Sequence, residues 1–234
     1  MDDDIVLRSR DGVTELIVNG VFAMDSAEVS SELALADAVA GARRVLVGGL
    51  GLGYTVARLL DGGAGHVRVV ELSAALVDAA RSGATPQLGA LASDPRVDLR
   101  VGDIADAVGA AADDTIPPRA RDDGHISHTN GSIPCRSRDE RPCGWDAIVL
   151  DVDNGPTFLI HDHNADLYRV GFLRRCRDAL AQRGHLVVWC EGASPDLATV
   201  LADIFGTVEA ITVPVARGAR RFDYVLYRAT RHNS

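Results

Sequence analysis

The sequence contains no lysine, so all 24 of its basic residues are arginine. A chain without lysine cannot form the Schiff base that pyridoxal phosphate requires, supply a lysine general base, or provide the lysine of a phosphate-binding P-loop. Positive charge is also scarce overall, because 33 acidic residues outweigh the arginines and give a formal net charge of -9. A negative surface repels nucleic-acid backbones and anionic lipid headgroups. We therefore expect neither a nucleic acid nor a membrane as a partner.

Cysteine is rare as well, with four residues in a chain of 234. This number does not make a disulfide framework at such a length, and we expect reduced thiols. No uninterrupted apolar run reaches the roughly 18 residues that span a bilayer. Three of the first four residues, Asp2 to Asp4, are acidic, whereas a signal peptide begins with positive charge. Apolar residues make up 47% of the chain, a proportion typical of a globular protein with a core. The sequence thus predicts a soluble, cytoplasmic protein.

The order of the predicted elements indicates an α/β fold with a small β-hairpin unit in front of it. Residues 1–25 hold two apolar-rich segments, Ile5–Ser9 and Val13–Val18, separated by an Asp-Gly pair that suits a hairpin turn. From residue 26 to residue 234, strand-like and helix-like segments alternate, which is the pattern of a parallel sheet covered on both faces. The segment 113–143 interrupts this pattern as an insertion loop rich in proline, arginine, aspartate, serine and glycine.

Hydrophobic periodicity therefore predicts a seven-stranded and mostly parallel sheet with helices on both faces and an antiparallel closing hairpin. The predicted strands are Arg44–Val47, Val67–Val70, Val97–Val101, Ala147–Leu150 and Leu186–Trp189, followed by the antiparallel pair Val208–Val213 and Phe222–Tyr227. The predicted helices are Ser26–Gly41, Val56–Leu60, Ala74–Arg81 with Ser73 as its N-cap, Ile104–Ala112 and Ser194–Phe205.

A glycine-rich turn follows the first of the parallel strands. Its glycines Gly49, Gly51 and Gly53 have the spacing G-x-G-x-G, whereas a dinucleotide-binding fingerprint would place the third glycine at Tyr54. Glycines at such a turn let the backbone N–H groups and the helix N-terminus approach a ligand without a Cβ clash. The spacing favours a turn that binds S-adenosylmethionine, and the alternative is a strand–helix turn that binds nothing.

Two acidic residues follow the next two strands and favour the nucleoside hypothesis. Glu71 ends the second parallel strand, where a carboxylate can accept hydrogen bonds from both ribose hydroxyls. Asp103 follows the third strand and is placed to meet the adenine edge. With their neighbours and a further acid after the fourth strand, the predicted cofactor-binding residues are Gly49, Leu50, Gly51, Gly53, Glu71, Leu72, Asp103, Ile104 and Asp151.

Several stretches of the chain match one known pattern. They are Asn19–Val21 with the acidic segment Glu28–Glu32, Val45–Thr55, Asp94–Asp103 and Trp145–Asp151. In these stretches the sequence resembles the spermidine synthase family, within the Rossmann-like S-adenosylmethionine-dependent transferases. The resemblance implies that Glu71 holds the ribose, that Asp103 lies at the adenine, and that Asp151 lies beside the sulfonium and the incoming amine. It implies S-adenosylmethionine or its decarboxylated form as the cofactor.

The chain departs from the family at the end of the site that binds the polyamine. The family's glycine turn carries an acid that grips the aminopropyl amine, and we expect Leu52 at that position here. The second acid of the family's D-x-x-D-P motif is replaced by Asn154. The segment Ala23–Glu32 lacks the glutamine, tyrosine and histidine that the family supplies there. These departures favour methyl transfer to a small, amine-bearing acceptor. Aminopropyl transfer to a polyamine is the alternative, and a non-catalytic nucleoside-binding scaffold is the third hypothesis.

Three residues are candidates for catalysis. Asp151 lies where open α/β sheets bind ligands and can orient or deprotonate an amine, although it can equally cap a helix or anchor a loop. Asp153, two residues later, competes for the same role. Tyr168 can line the pocket, although an aromatic residue at a helix start is more often packed in the core.

The insertion contains a set of possible zinc ligands, His125, His128, Cys135 and Cys143, whose spacing fits no familiar zinc finger. We therefore expect no metal. The loop 113–143 remains open to interpretation as a lid over the site or as a disordered segment. The sequence also leaves the oligomeric state open, with a homodimer among the options, and does not identify the acceptor.

Overall fold

The computed structural model describes residues 4–110, 144–152, 162–217 and 220–232. The candidate catalytic residue Asp153 and the neighbouring Asn154 lie outside these ranges, as does the predicted insertion 113–143 with its histidines and cysteines.

The N-terminal unit is a three-stranded antiparallel sheet. Its strands lie in the order β1 (Ile5–Arg10), β2 (Val13–Val18) and β3 (Val21–Asp25). Both connections are two-residue turns, Asp11-Gly12 and Asn19-Gly20, in which both residues have positive φ. Such turns match the twist of antiparallel strands.

The main sheet has seven strands and confirms the predicted fold class. Its strands are β4 (Arg44–Gly48), β5 (His66–Glu71), β6 (Val97–Val101), β7 (Trp145–Leu150), β8 (Leu180–Cys190), β9 (Thr207–Arg217) and β10 (Arg220–Thr230). They lie in the order β6-β5-β4-β7-β8-β10-β9. The first five in this order pair in parallel, and β10 is antiparallel to both β8 and β9. The closing pair is therefore the predicted antiparallel hairpin.

Seven α-helices lie in the part of the chain that the structure describes: α1 (Ser30–Asp37), α2 (Tyr54–Asp61), α3 (Ala74–Arg81), α4 (Pro86–Ser93), α5 (Ile104–Ala110), α6 (Val170–Ala179) and α7 (Pro195–Phe205). A 3₁₀ helix at Asp162–Tyr168 precedes α6. The predicted N-cap of α3 is confirmed, since the Ser73 hydroxyl accepts a hydrogen bond from the Leu76 N–H. The helix α4 was not predicted from the sequence, and for α6 only a helix start near Tyr168 was expected.

The central strands are buried on both faces, which explains their nearly continuous apolar sequence. Along β4, Val45 and Val47 pack into the cluster that α1 to α4 cover, whereas Leu46 packs into the cluster beneath α5 to α7. The strand β7 alternates in the same way, with Val149 on the first face and Ile148 on the second. Helices thus cover both faces of the sheet, and the ends of its strands remain accessible to a ligand.

Chain order reverses between β4 and β7, which places a crevice at their carboxyl ends. Open α/β sheets bind their ligands at such a point. Two hydrogen bonds continue the ladder there, from the Gly49 N–H to the Val70 carbonyl and from the Asp151 N–H to the Gly48 carbonyl, both at 2.9 Å. The glycine turn and Asp151 are therefore held side by side.

Gly49 is the position where this arrangement depends most on the absence of a side chain. Its φ is +92°, and a Cβ built there would lie 2.1 Å from the carbonyl oxygen of Asp151. We expect Gly49→Ala to lower the free energy of unfolding by at least about 2 kcal/mol more than Gly63→Ala does, because the backbone of one strand end must shift. Urea denaturation of both variants measures the difference.

Gly63 is the matched control for this prediction. Its φ is +89°, so alanine meets the same backbone strain there, but no atom lies within 4 Å of its Cβ position. Equal destabilisation by the two substitutions would contradict the close approach.

Candidate active site

A cavity opens at the carboxyl ends of the parallel strands and is covered by the N-terminal sheet and the start of α1. Its floor comes from the glycine turn after β4 and from the residues that follow β5, β6 and β7. The residues predicted from the sequence that line it are Gly49, Gly51, Glu71, Leu72, Asp103, Ile104 and Asp151.

Three other predicted residues lie elsewhere. Leu50 is buried, and its backbone N–H, rather than its side chain, faces the site by donating to Glu71. Gly53 is the N-cap residue of α2 and does not contribute to the described lining. A Cβ at Gly53 would lie 2.3 Å from the Leu91 side chain. Tyr168 is packed in the core cluster beneath α5 to α7 and does not contribute to the described lining. For Tyr168 the structure therefore matches the packing interpretation.

Glu71 is held in a fixed orientation between two elements. One of its carboxylate oxygens accepts a hydrogen bond from the Leu50 N–H in the glycine turn, and the other accepts one from the Ser73 N–H before α3, both at 2.8 Å. A carboxylate oxygen can accept more than one hydrogen bond, so these backbone contacts orient the group without saturating it. The half-buried carboxylate can thus accept further hydrogen bonds from hydroxyl groups of a ligand in the cavity.

Asp103 lies at the edge of an apolar slot. Its carboxylate accepts a hydrogen bond of 2.7 Å from the Ala105 N–H, which ties it to the first turn of α5. The neighbouring lining residues Val70 and Ile104 are buried, and Leu72 is 39% exposed at the rim. A flat ring with polar edges suits a slot that has apolar walls and one carboxylate at its edge.

Asp151 lies in the middle of the floor and has an unusual protonation equilibrium. The Thr55 hydroxyl donates to its carboxylate at 3.1 Å. Burial, together with the negative charges of Glu32 and Glu71, raises the pKa of Asp151 to about 7. A carboxyl group with such a pKa can take up or release a proton near neutral pH, as a general base requires.

Two glutamates near the start of α1, Glu28 and Glu32, also line the cavity and were missed in the sequence analysis. Glu28 is oriented by the Ser30 N–H, which donates to its carboxylate at 2.9 Å, and Glu32 by the Ser31 hydroxyl at 2.7 Å. Burial raises the pKa of Glu32. The available signal was their spacing of four residues in a segment that the periodicity predicts to be helical, although the helix itself begins only at Ser30.

An aromatic wall completes the cavity beside these glutamates. Trp189 of β8 and Tyr224 of β10 both line it, with ring centroids 4.8 Å apart and planes inclined by 55°. Burial raises the pKa of the Tyr224 hydroxyl. The sequence carried no signal for this pair, because the two residues meet only through the pairing of β8 with β10.

The expectation that Leu52 occupies the position of the family's amine-binding acid is wrong. Its side chain is 3% exposed and packs in the core cluster that α1 to α4 cover. Gly51 lines the cavity instead, and a Cβ there would lie 2.8 Å from the Met24 sulfur. The glycine turn therefore presents no acidic side chain to the cavity. The acidic side chains at this end of the cavity are those of Glu28 and Glu32.

Neither a metal site nor a membrane-spanning helix is found within the described ranges. No group of three or more histidine, cysteine, aspartate or glutamate side chains in those ranges is arranged to hold a metal ion. No helix in those same ranges is long and apolar enough to cross a membrane.

Comparison of the sequence with models of protein families and with curated proteins found no match. Solved structures do match. A spermidine synthase in complex with the transition-state analogue AdoDATO gives a TM-score of 0.69 at 16% identity, over 98% of this chain and 71% of that one. A spermidine synthase from Thermotoga maritima gives 0.67 at 15%, over 98% and 70%. Human methyltransferase-like protein 13 in complex with SAH gives 0.55 at 15%, over 88% and 82%. The chain thus has the Rossmann-like fold of spermidine synthases and class I methyltransferases.

The raised pKa of Asp151 predicts a pH dependence of stability. Between the ordinary value of 3.8 and about 7, the folded chain keeps a proton that the unfolded chain has lost. The free energy of unfolding should therefore fall as the pH rises through this window, by at most about 1.4 kcal/mol per pH unit relative to Asp151→Asn. Above pH 7 the difference between the two proteins should stay level. Urea denaturation from pH 4 to pH 8 measures it.

The matched control is Asp203→Asn, which changes an exposed carboxylate on α7. This variant should follow the wild-type slope across the whole range. A wild type and an Asp151→Asn variant with parallel profiles would show that the carboxyl group titrates normally.

Proposed function

We propose that the chain is an S-adenosylmethionine-type transferase that acts on an amine, and that methyl transfer to a small amine-bearing acceptor is its reaction. One observation carries the proposal. A single cavity joins a nucleoside-like end, at Glu71 and Asp103, to an acidic end at Glu28 and Glu32, with Asp151 between them.

The nucleoside half rests on three local arrangements. The glycine turn brings backbone N–H groups close to the cavity, Glu71 is oriented as an acceptor for hydroxyl groups, and Asp103 lies at the edge of an apolar slot. These are the contacts that the ribose and adenine of such a cofactor require. Among structures that share the fold, two hold SAH and one holds AdoDATO.

The amine half rests on charge and aromaticity. An ammonium group between the carboxylates of Glu28 and Glu32 would meet compensating charge inside a half-buried space. The faces of Trp189 and Tyr224 add the electrostatic attraction of aromatic rings for cations. A neutral or anionic acceptor would gain none of this stabilisation.

Asp151 acts as the general base that converts an ammonium group into a neutral, nucleophilic amine. It accepts one proton from the ammonium, and the freed lone pair then attacks the carbon next to the sulfonium. The new carbon–nitrogen bond forms as the carbon–sulfur bond breaks, and the sulfur leaves as a neutral thioether. Because the sulfonium is already reactive, alignment and the exclusion of water provide most of the remaining acceleration.

Aminopropyl transfer from decarboxylated S-adenosylmethionine is the second candidate, and the placement of Glu28 and Glu32 favours it. The sequence disfavours this reaction partly because the glycine turn has no acidic residue that could bind the donor's amine. Both acids, one just before α1 and one in its first turn, line the same cavity and can take that role. Methyl transfer remains first because Gly51 offers no carboxylate at the turn itself. A non-catalytic scaffold would not need the placement of Asp151.

The two halves of the cavity should respond separately to substitution. Glu71→Gln should weaken the binding of S-adenosylhomocysteine at least about tenfold, because a charged acceptor for the ribose hydroxyls is lost. Glu32→Gln should leave this affinity within about twofold and should weaken the binding of putrescine by a similar tenfold, because an ammonium loses its counter-charge. Isothermal titration calorimetry measures both affinities.

Glu209→Gln is the control for these variants, since it changes an exposed glutamate whose contact is a surface ion pair with Arg228. Its affinities should equal those of the wild type. If Glu71→Gln bound S-adenosylhomocysteine as tightly as the wild type, the nucleoside half of the proposal would be refuted.

A further inference from the structure

Arg217 is the one basic side chain among the described residues that line the cavity. It ends β9 and shares the cavity lining with the glutamates near the start of α1 and with the aromatic wall. The described lining residues that carry acids are Glu28, Glu32, Glu71, Asp103 and Asp151. A single cation among so many carboxylates needs a physical explanation.

Among the described residues, Arg217 has few acceptors for its N–H donors. The nearest described carboxylate is that of Asp25, with a separation of 3.6 Å between the terminal nitrogen and oxygen. Charge-assisted hydrogen bonds of this kind measure about 2.7–2.9 Å. The guanidinium also lies 5.2 Å from the ring centre of Phe22. Its Nε is buried, and no residue in the described ranges accepts a hydrogen bond from it.

A guanidinium with five N–H donors is costly to keep half-buried without acceptors. The Arg217 side chain is 33% exposed and borders the cavity, so the missing acceptors can come from a ligand there. The planar fork of an arginine matches the geometry of a carboxylate or a phosphate and can donate two parallel hydrogen bonds to it.

Arg217 also lies close enough to α1 to act on its charges. Burial raises the pKa of Glu32, and the positive charge of Arg217 opposes that rise. The same charge opposes the rise that burial causes in the pKa of Tyr224. This end of the cavity therefore presents a cation and carboxylates next to each other, rather than a uniformly negative surface.

We propose that Arg217 binds the carboxylate of an amino-acid group whose ammonium lies between Glu28 and Glu32. The inference rests on the proposed function and adds a substrate class to it: one ligand of the cavity is an amino acid or carries one. A plain diamine fits this arrangement less well, because its second ammonium would meet the guanidinium. The amino-acid group belongs either to the methionine part of the donor or to the acceptor.

Two pairs of probes distinguish these sources, since the members of each pair differ chiefly in the amino-acid group. S-adenosylhomocysteine carries it, whereas methylthioadenosine has the same nucleoside and a bare methylthio group. Ornithine carries it, whereas putrescine is the same diamine without the carboxylate. Calorimetry with wild type, Arg217→Gln and Arg217→Lys gives the affinities, with methylthioadenosine present when the amines are titrated. Arg221→Gln, which changes an exposed arginine outside the described lining, is the control.

We expect Arg217→Gln to lower the affinity for one amino-acid probe at least about tenfold and to leave its partner probe within twofold. Arg217→Lys should lose less, because the charge remains, and Arg221→Gln should match the wild type. A loss for S-adenosylhomocysteine assigns the carboxylate to the donor, and a loss for ornithine assigns it to the acceptor. Unchanged affinity for both would overturn the inference while leaving the proposed function in place. A wild type that binds neither S-adenosylhomocysteine nor methylthioadenosine would overturn both.

Discussion

The close approach of the Gly49 backbone to the carbonyl of Asp151 fixes the positions of the other groups in the cavity. The two residues end neighbouring parallel strands, and no side chain fits between them. This contact sets the glycine turn against the fourth parallel strand, and the turn in turn donates to Glu71 through Leu50. The nucleoside end and the proposed reaction centre are therefore parts of one rigid floor.

Burial then determines what this floor can do chemically. Among the described residues, the Thr55 hydroxyl is the hydrogen-bond donor to the Asp151 carboxylate, and the charges of Glu32 and Glu71 act on the same group. Burial and these two charges favour its neutral form and bring its proton affinity close to that of an ordinary histidine. A cationic ligand would reverse the balance by adding a positive charge next to the carboxylate. Binding of an ammonium and loss of its proton are thus linked through the same group.

The parts of the site that could be predicted from the sequence are those set by local order. Glu71, Asp103 and Asp151 each follow a recognisable buried strand, and parallel strands bring their carboxyl ends to one edge of a sheet. Local sequence pattern also sets the bounds of regular elements. The strand β6 (Val97–Val101) and the helix α3 (Ala74–Arg81) have the same bounds in the structure as in the prediction.

The remaining parts depend on contacts between residues far apart in the chain. Trp189, Tyr224 and Arg217 reach the cavity only through the pairing of β8, β9 and β10, and nothing in their local sequence marks them. Leu52 was misplaced because a glycine turn does not alternate its side chains as a strand does. The short helix α4 was missed because Gly89 interrupts its eight residues, although Thr85 caps it.

The central claim is that one cavity transfers a group from a sulfonium donor to an amine. The most direct test is to incubate the protein with putrescine or ornithine and with either S-adenosylmethionine or its decarboxylated form, and to identify the products by mass spectrometry. The account predicts a methylated amine together with S-adenosylhomocysteine. An aminopropylated amine together with methylthioadenosine would keep the cavity and change the reaction to the second candidate. No transfer product from either donor with either amine would contradict the account.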